Sequence, residues 1–381
     1  MKIFPSGRSV RGPLSKAAEL PIGESSSAAQ AHRSLPGALV AARERLATPW
    51  TASYPAQSAA HEDVMLPGAP ARTVCMNTRH TLSSRASAVV GVAFAALLLC
   101  AHALHAQDST AAEPFAEGKS TVAVDFDGTA LDLWVYKPDN YVGDGFILLF
   151  HGASRAAEAY RDNATVFADT YGRLVVVPLF DAERFPSRLY QFGGVFREDS
   201  TFAEAEERTF AYVPKLVEHI RAREGDADMP YVMLGYSAGA QFVERMAAFM
   251  DTDAERLIAM SPGSSMFPTR DMDYGLGFGG LPEAFSSDER LQRYLALPLT
   301  VAIGTYDREM GQLPQGDAYD QGVHRYSRNL RWFNTAMDLA FQREWEFNWR
   351  LVIAHGAGHS PPEMFNHPQM GNALFGHRRW H

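Results

Sequence analysis

The chain has 381 residues and a formal net charge of −9. Basic residues outnumber acidic ones by ten to five up to Ala106, whereas acidic residues outnumber basic ones by 39 to 25 from Gln107 onward. An acidic body without clustered Lys and Arg argues against binding to a nucleic-acid backbone. Both cysteines, Cys75 and Cys100, precede Gln107, which excludes disulfides, zinc–thiolate sites and a cysteine nucleophile from the later part.

The stretch 76–106 has the three parts of a secretory signal peptide. Arg79 and Arg85 form its basic region, residues 88–101 form an apolar run, and small residues form a cleavage region at its end. This apolar run is shorter than the roughly 20 residues that a membrane-spanning helix needs. We therefore expect a signal peptide, a secreted or periplasmic protein, and no stable membrane span.

The 75 residues before that signal show no sustained helical or strand period. Because a signal peptide acts at a free N-terminus, we expect Met76 to be the physiological start and residues 1–75 to be upstream sequence. The alternative is a genuine disordered extension of that length. Residues 107–381 then form the folded part, which has a length typical of a single domain with one sizeable core.

After Lys119, short apolar runs alternate with helical patterns. Residues 120–126 and 131–136 predict a β-hairpin with a turn at Asp127 and Gly128. Later runs are apolar throughout, as in strands that are buried on both faces. They are residues 146–150, 173–180, 231–234, 256–260, 298–304 and 349–354.

Apolar residues at helical spacing predict amphipathic helices between these strands. The three sets are Phe210, Val213, Leu216, Val217 and Ile220; Val243, Met246 and Met250; and Leu330, Phe333, Met337 and Phe341. Alternating strands and helices predict an α/β fold, with a mostly parallel central sheet and helices on both faces. Functional residues in such sheets follow the carboxyl ends of the strands.

The sequence GYSAG, centred on Ser237, directly follows the run 231–234 and opens a helical pattern. A serine at a tight turn between strand and helix has its hydroxyl raised above the sheet, and Gly235 and Gly239 permit the strained turn. The alternative is an ordinary serine at a helix N-cap. We predict that Ser237 is a nucleophile.

A serine nucleophile needs a base and a carboxylate that orients the base. The loop after the last strand offers His355 and His359, and we favour His359 because it follows a flexible Gly-Ala-Gly segment. Asp307 follows the next-to-last predicted strand and is the expected acid. Asp271 and Asp273, which follow the strand before it, are the alternatives.

An oxyanion hole is expected from two main-chain N–H groups. The third predicted strand ends at His151 and Gly152, so the N–H of Ala153 is one candidate donor. The N–H of Ala238, directly after the predicted nucleophile, is the other.

Two further patterns do not predict a cofactor or a metal. Residues 275–280, GLGFGG, lie in a loop, whereas a dinucleotide fingerprint follows a strand and opens a helix. A metal site at His355 and His359 would require a helix between them, which the intervening glycines disfavour. The loop 261–285 is expected to be a flexible wall above the site.

GYSAG, the HG dipeptide after an earlier strand, GTYD and GAGH occur in an order that resembles α/β-hydrolases over nearly all of residues 120–375. That resemblance implies the nucleophile, acid and histidine order Ser237, Asp307, His359. Residues 146–178 resemble the group that includes polyhydroxybutyrate depolymerases and feruloyl esterases. In that group an HG turn is followed by a helix and a strand that ends in Pro, but this chain lacks a cysteine after HG.

These observations predict an exported serine esterase that cleaves a small or polymeric carboxylic ester through an acyl-enzyme and needs no cofactor. A peptidase or amidase would use the same three side chains, and a hydrolase fold used only for binding is the third reading.

Overall fold

The computed structural model describes residues 113–310, 313 and 316–376. The predicted signal peptide at 76–106 and the predicted upstream sequence 1–75 lie outside these residues.

A single sheet lies at the centre of the described part. Its strands run in the order β1-β2-β4-β3-β5-β6-β7-β8 and comprise β1 (Gly118–Phe126), β2 (Thr129–Lys137), β3 (Phe146–Phe150), β4 (Leu174–Pro178), β5 (Tyr231–Tyr236), β6 (Arg256–Met260), β7 (Leu299–Gly304) and β8 (Arg350–Ala354). β1 pairs antiparallel with β2, and β2 pairs antiparallel with β4. The other neighbouring strands pair in parallel. The predicted mostly parallel sheet is therefore confirmed.

The strand predictions agree with the structure to within two residues at every end. The hairpin turn between β1 and β2 contains Asp127 and Gly128, with φ values of 54° and 86°. Two consecutive positive φ angles are typical of the two-residue hairpin turns whose twist matches that of paired strands. The inner strands β3, β4, β5 and β7 are buried at every residue, as their uninterrupted apolar sequences predict.

Helices cover both faces of this sheet. Within the described residues the α-helices are α1 (Ala157–Tyr171), α2 (Tyr212–Glu224), α3 (Ala238–Phe249), α4 (Glu283–Ser286), α5 (Asp288–Ala296), α6 (Arg325–Arg343), α7 (Pro361–Phe365) and α8 (Met370–Phe375). Short 3-10 helices span Ala205–Glu207, Thr209–Ala211 and Gly316–Gln321. One apolar core includes α2, α3, α5 and α6, and the second includes α1, α7 and α8. No helix among these is both long and apolar enough to span a membrane.

The helix α6 forms where it was predicted, but it buries a different face. Met337 and Phe341 of the predicted apolar stripe are 41% and 84% exposed, whereas Trp332 is fully buried. Near its start the helix buries polar side chains, among them Arg325 and Asn329. Spacing alone identified the helix, yet the packing partners decided which side chains became buried.

The predicted flexible wall at 261–285 is instead a tightly packed loop. Met266 and Phe278 lie in the core. The Met266 carbonyl accepts hydrogen bonds from Trp332 Nε1 at 2.9 Å and from Tyr294 Oη at 3.3 Å, and the buried Arg245 donates to the carbonyl of Gly275 at 2.6 Å. Side chains of α3, α5 and α6 therefore hold this loop in place by hydrogen bonds.

Candidate active site

The turn that carries Ser237 joins β5 to α3 and has a strained backbone. Ser237 has φ 54° and ψ −108°, a combination that L-residues rarely adopt. Its N–H donates to the carbonyl of Met260 at the end of β6. The neighbouring strand thus holds the serine at the carboxyl edge of the sheet.

Both glycines of GYSAG are required by close backbone contacts. A Cβ added to Gly235 would lie 2.1 Å from the carbonyl oxygen of Gly239, and a Cβ added to Gly239 would lie 2.1 Å from the carbonyl oxygen of Phe150. Both contacts are to main-chain atoms, which cannot move aside without shifting an element. The glycines therefore let α3 start directly against the end of β3.

His359 reaches Ser237 from the loop after β8. His359 Nε2 lies 3.1 Å from Ser237 Oγ. The loop is fixed at Gly358, whose N–H donates to Glu363 Oε2 at 2.7 Å, and at Ala357, whose carbonyl accepts from the N–H of Tyr306 at 2.9 Å. The Gly-Ala-Gly segment thus places an imidazole beside the serine hydroxyl.

The other candidate histidine lies outside the contact between His359 and Ser237. His355 is exposed, and its carbonyl contacts His367 Nε2 at 3.2 Å. The two histidines differ in their distance from the end of the strand: His355 directly follows β8, whereas His359 lies beyond the turn.

Asp307 completes a hydrogen-bonded chain with these two residues. Its Oδ2 lies 2.8 Å from His359 Nδ1, and the carboxylate is fully buried. A carboxylate accepts hydrogen bonds, so this contact favours the tautomer with the proton on Nδ1, which leaves Nε2 to accept from the serine hydroxyl. The alternative acids, Asp271 and Asp273, are exposed on the packed loop.

The HG dipeptide after β3 lies against the same turn. The buried His151 accepts a hydrogen bond at Nε2 from the N–H of Phe180 at 3.1 Å, and its Nδ1 lies 3.0 Å from the carbonyl oxygen of Gly152. Burial lowers the pKa of His151 to about 4, so the ring is neutral at pH 7 with its proton on Nδ1. Tyr190 Oη also donates to the carbonyl of His151 at 2.8 Å. These three contacts hold the turn at His151 and Gly152 in place.

Gly152 brings the predicted oxyanion-hole segment beside the serine. A Cβ on Gly152 would lie 3.6 Å from Ser237 Cβ and 2.3 Å from Tyr160 Oη. Ala153 follows Gly152, and Ala238 is the first residue of α3, where main-chain N–H groups have no partner within the helix. The oxyanion-hole role of Ala153 and Ala238 stays a prediction.

No protein-family profile and no curated protein sequence matches the chain. Many solved structures are similar to it, among them the following two. Poly(3-hydroxybutyrate) depolymerase LpqC from Bordetella parapertussis is 29% identical, with a TM-score of 0.61, and the match covers 66% of this chain and 88% of that one. Poly(aspartic acid) hydrolase-1 from Sphingomonas sp. KT-1 is 28% identical, with a TM-score of 0.61 and coverage of 66% and 96%.

The chain has the α/β-hydrolase fold. Its predicted resemblance to polyhydroxybutyrate depolymerases is confirmed by the first of these structures. The glycine-rich loop 275–280 of this hydrolase lies between β6 and α4 and opens no helix.

Sequence reasoning missed two side chains beside the hydrogen-bonded chain of the hydrolase. The ring of Tyr236 lies 5.3 Å from the ring of His359, and burial raises the pKa of the tyrosine hydroxyl, which keeps it protonated. Arg325, the first residue of α6, has NH1 3.5 Å from Asp307 Oδ1. The available signal for Tyr236 was its place inside GYSAG, whereas no local pattern pointed to Arg325.

The described residues contain no group of three or more His, Cys, Asp or Glu side chains arranged to hold a metal ion. The arrangement around Ser237 can instead transfer a proton from a hydroxyl to an imidazole whose other nitrogen faces a buried carboxylate.

Proposed function

We propose that this hydrolase cleaves carboxylic esters through an acyl-enzyme. The observation that carries the proposal is the chain of hydrogen bonds from Ser237 Oγ to His359 Nε2 and from His359 Nδ1 to Asp307 Oδ2. A hydroxyl is nearly inert at neutral pH unless a base takes its proton, and an oriented imidazole supplies that base.

In the proposed reaction, Ser237 Oγ attacks the ester carbonyl while His359 Nε2 takes its proton. The N–H groups of Ala153 and Ala238 donate to the oxygen that becomes negative. His359 then gives the proton to the departing alcohol oxygen, and the C–O bond to the alcohol breaks. Water repeats the sequence on the acyl-enzyme, which releases the carboxylic acid and restores Ser237. Asp307 keeps the imidazole in the required tautomer and stabilises its protonated form.

The observation that supports an ester substrate is the similarity to a poly(3-hydroxybutyrate) depolymerase, because the name of that protein specifies a polyester. The similarity to a poly(aspartic acid) hydrolase supports amide cleavage as the second candidate, since poly(aspartic acid) is a polyamide. The same three side chains serve both reactions, but an amide nitrogen is a poorer leaving group and must be protonated as it departs.

Parallel assays separate the two candidates. We expect turnover of p-nitrophenyl acetate or butyrate and little turnover of aminoacyl-nitroanilides. Feruloyl esters, polyhydroxybutyrate films and poly(aspartic acid) extend the panel to an aryl ester and to both polymers. Preferential cleavage of the nitroanilides or of poly(aspartic acid) would replace the ester proposal with the amide one.

Single substitutions test the assignment of roles. Ser237→Ala and His359→Ala should each lower kcat/KM by about 10⁴-fold or more, and Asp307→Asn should cause a severe loss because an amide favours the wrong imidazole tautomer. His355→Ala is the matched control and should retain most activity. Full activity in His359→Ala together with loss in His355→Ala would reverse the assignment.

A fluorophosphonate probe distinguishes an enzyme from a fold that only binds. It should label the wild type at Ser237 and leave Ser237→Ala unlabelled. An unlabelled wild type would instead favour the binding protein.

We also propose that the hydrolase is exported by the signal peptide at 76–106 and that translation starts at Met76. The basic, apolar and small-residue regions of that stretch support the proposal. Mass spectrometry of the native protein tests it, because a tryptic peptide from residues 1–75 would contradict the start at Met76.

A further inference from the structure

We propose that Arg325 is a positioning residue of this site, whose positive charge lies beside Asp307 and limits how strongly that carboxylate favours the charged form of His359. The proposal rests on the proposed function, because it assigns Arg325 an effect on the base that activates Ser237.

The position of Arg325 is energetically unfavourable for a positive charge that has no charged partner. Its side chain is 6% exposed, and a buried guanidinium is costly without a charged partner. It is also the first residue of the 19-residue helix α6, where the helix dipole disfavours a cation. The charged partner of Arg325 is the carboxylate of Asp307, which has no exposed surface.

The ion pair divides the two oxygens of Asp307 between two partners. Oδ2 lies 2.8 Å from His359 Nδ1, and Oδ1 lies 3.5 Å from Arg325 NH1. The contact with Arg325 is an ion pair and not a hydrogen bond, since Asp307 Oδ1 is buried without a hydrogen-bond partner among the described residues. Arg325 therefore acts on the carboxylate through its positive charge, at the oxygen that does not face the imidazole.

A main-chain hydrogen bond also attaches the start of α6 to Asp307. The N–H of Tyr326 donates to the carbonyl of Asp307 at 3.0 Å. One turn later, Asn329 Nδ2 donates to the carbonyls of Arg325 and Pro262 at 2.8 Å and 3.1 Å. These bonds tie Arg325 to the loops after β7 and β6, which keeps the guanidinium beside the carboxylate.

The electrostatic consequence has a definite sign. The negative charge of Asp307 favours a protonated His359, whereas the positive charge of Arg325 opposes it. A protonated imidazole cannot accept the serine proton, so Arg325 extends activity toward lower pH.

Other charged and titratable groups around the His359 and Asp307 pair come from several elements, and a test must leave them in place. They are Arg308 beside Asp307, Arg328 on α6, Tyr236 at the end of β5 and Glu363 on α7. Among these, Arg328 provides a matched control. It is a fully buried arginine on the same helix, and it donates to the carbonyls of Gly322 and Gly263, both at 2.7 Å.

The test measures the pH dependence of the second-order rate at which a fluorophosphonate labels the purified full-length chain, which requires no knowledge of the substrate. In Arg325→Met the acidic limb of this profile should move to higher pH by about 0.5 to 1.5 units. Arg325→Lys keeps the charge and should restore the limb to the wild-type position. Arg328→Met should lower stability while shifting the limb much less.

The outcomes separate this proposal from the one on which it rests. A wild type that is not labelled at Ser237 contradicts the proposed function. Labelling at Ser237 with an unshifted limb in Arg325→Met, or an equal shift in Arg328→Met, overturns the role of Arg325 alone.

A stability measurement keeps the proposal testable if Arg325→Met folds poorly. Asp307→Asn leaves the buried Arg325 without its charged partner, and the double variant Asp307→Asn/Arg325→Met removes that unpaired charge. The double variant should therefore unfold at a higher urea concentration than Asp307→Asn. An equal or lower midpoint for the double variant contradicts the pairing.

Discussion

The backbone at Ser237 illustrates how single residues determine this site. Holding an L-residue at φ 54° and ψ −108° costs on the order of 1 to 3 kcal/mol. The surrounding contacts maintain that conformation: β6 accepts the serine N–H, and Gly235 and Gly239 allow main-chain atoms to meet where a Cβ would not fit. The glycines in G-x-S-x-G are therefore steric requirements of the turn.

Gly152 has the same kind of requirement, and it allows a test by rescue. In Gly152→Ala the new Cβ would lie 2.3 Å from Tyr160 Oη, so the turn that carries Ala153 must shift. We expect a fall in kcat/KM of about 10²-fold, comparable to the loss of one oxyanion-hole donor. Steady-state kinetics on p-nitrophenyl butyrate measures it.

Removing the tyrosine hydroxyl should relieve that contact. Gly152→Ala/Tyr160→Phe should recover a substantial part of the lost activity, with Tyr160→Phe alone as the control. If the double variant is no more active than Gly152→Ala, the contact with Tyr160 is not the cause of the loss.

At the scale of elements, α3 both presents Ser237 and holds the loop that follows β6. Glu244 of α3 is fully buried, and its Oε2 accepts the N–H of Met266 at 3.3 Å. Burial raises the pKa of Glu244 to about 8, although the neighbouring Arg245 acts in the opposite direction. The folded protein thus retains a proton that the unfolded chain loses above pH 4.5.

This difference predicts a pH-dependent loss of stability with a definite sign. The contribution of Glu244 is fully present below pH 4.5 and is lost as the pH rises to 8, by an amount on the order of 3 to 5 kcal/mol. Glu244→Gln resembles the protonated acid, so its advantage over the wild type should grow across this range. Urea unfolding at pH 5 and pH 8 measures it.

The exposed Glu158 on α1 provides the control for that experiment. Glu158→Gln should follow the wild-type pH dependence. A constant difference between Glu244→Gln and the wild type from pH 5 to pH 8 would mean that Glu244 is ionised in the folded protein.

At the scale of the whole molecule, the sequence before Met76 should not contribute to the hydrolase. We expect that removing residues 1–75 leaves the melting temperature and the turnover unchanged, because this stretch lacks any period suited to packing on a core. Thermal unfolding and ester hydrolysis of both lengths of chain test this. A melting temperature lower by several degrees in the shortened chain would show that the stretch docks on the folded part.

The sequence by itself determined the features that depend on neighbouring residues. Uninterrupted apolar runs identified the buried strands, Asp127-Gly128 identified the hairpin turn, and GYSAG between a strand and a helix identified the turn at Ser237. These signals work because backbone conformation, turn chemistry and side-chain period act over a few residues.

Only the tertiary structure decided which distant side chains meet. Asp307 and His359 are 52 positions apart, and His359 and Ser237 are 122 positions apart, so their contacts depend on strand order and loop path. The buried face of α6 and the pairing of Arg325 with Asp307 depend on the same packing. A helix period fixes which residues share a face, but the neighbours across the core determine which face is buried and which charge finds its partner.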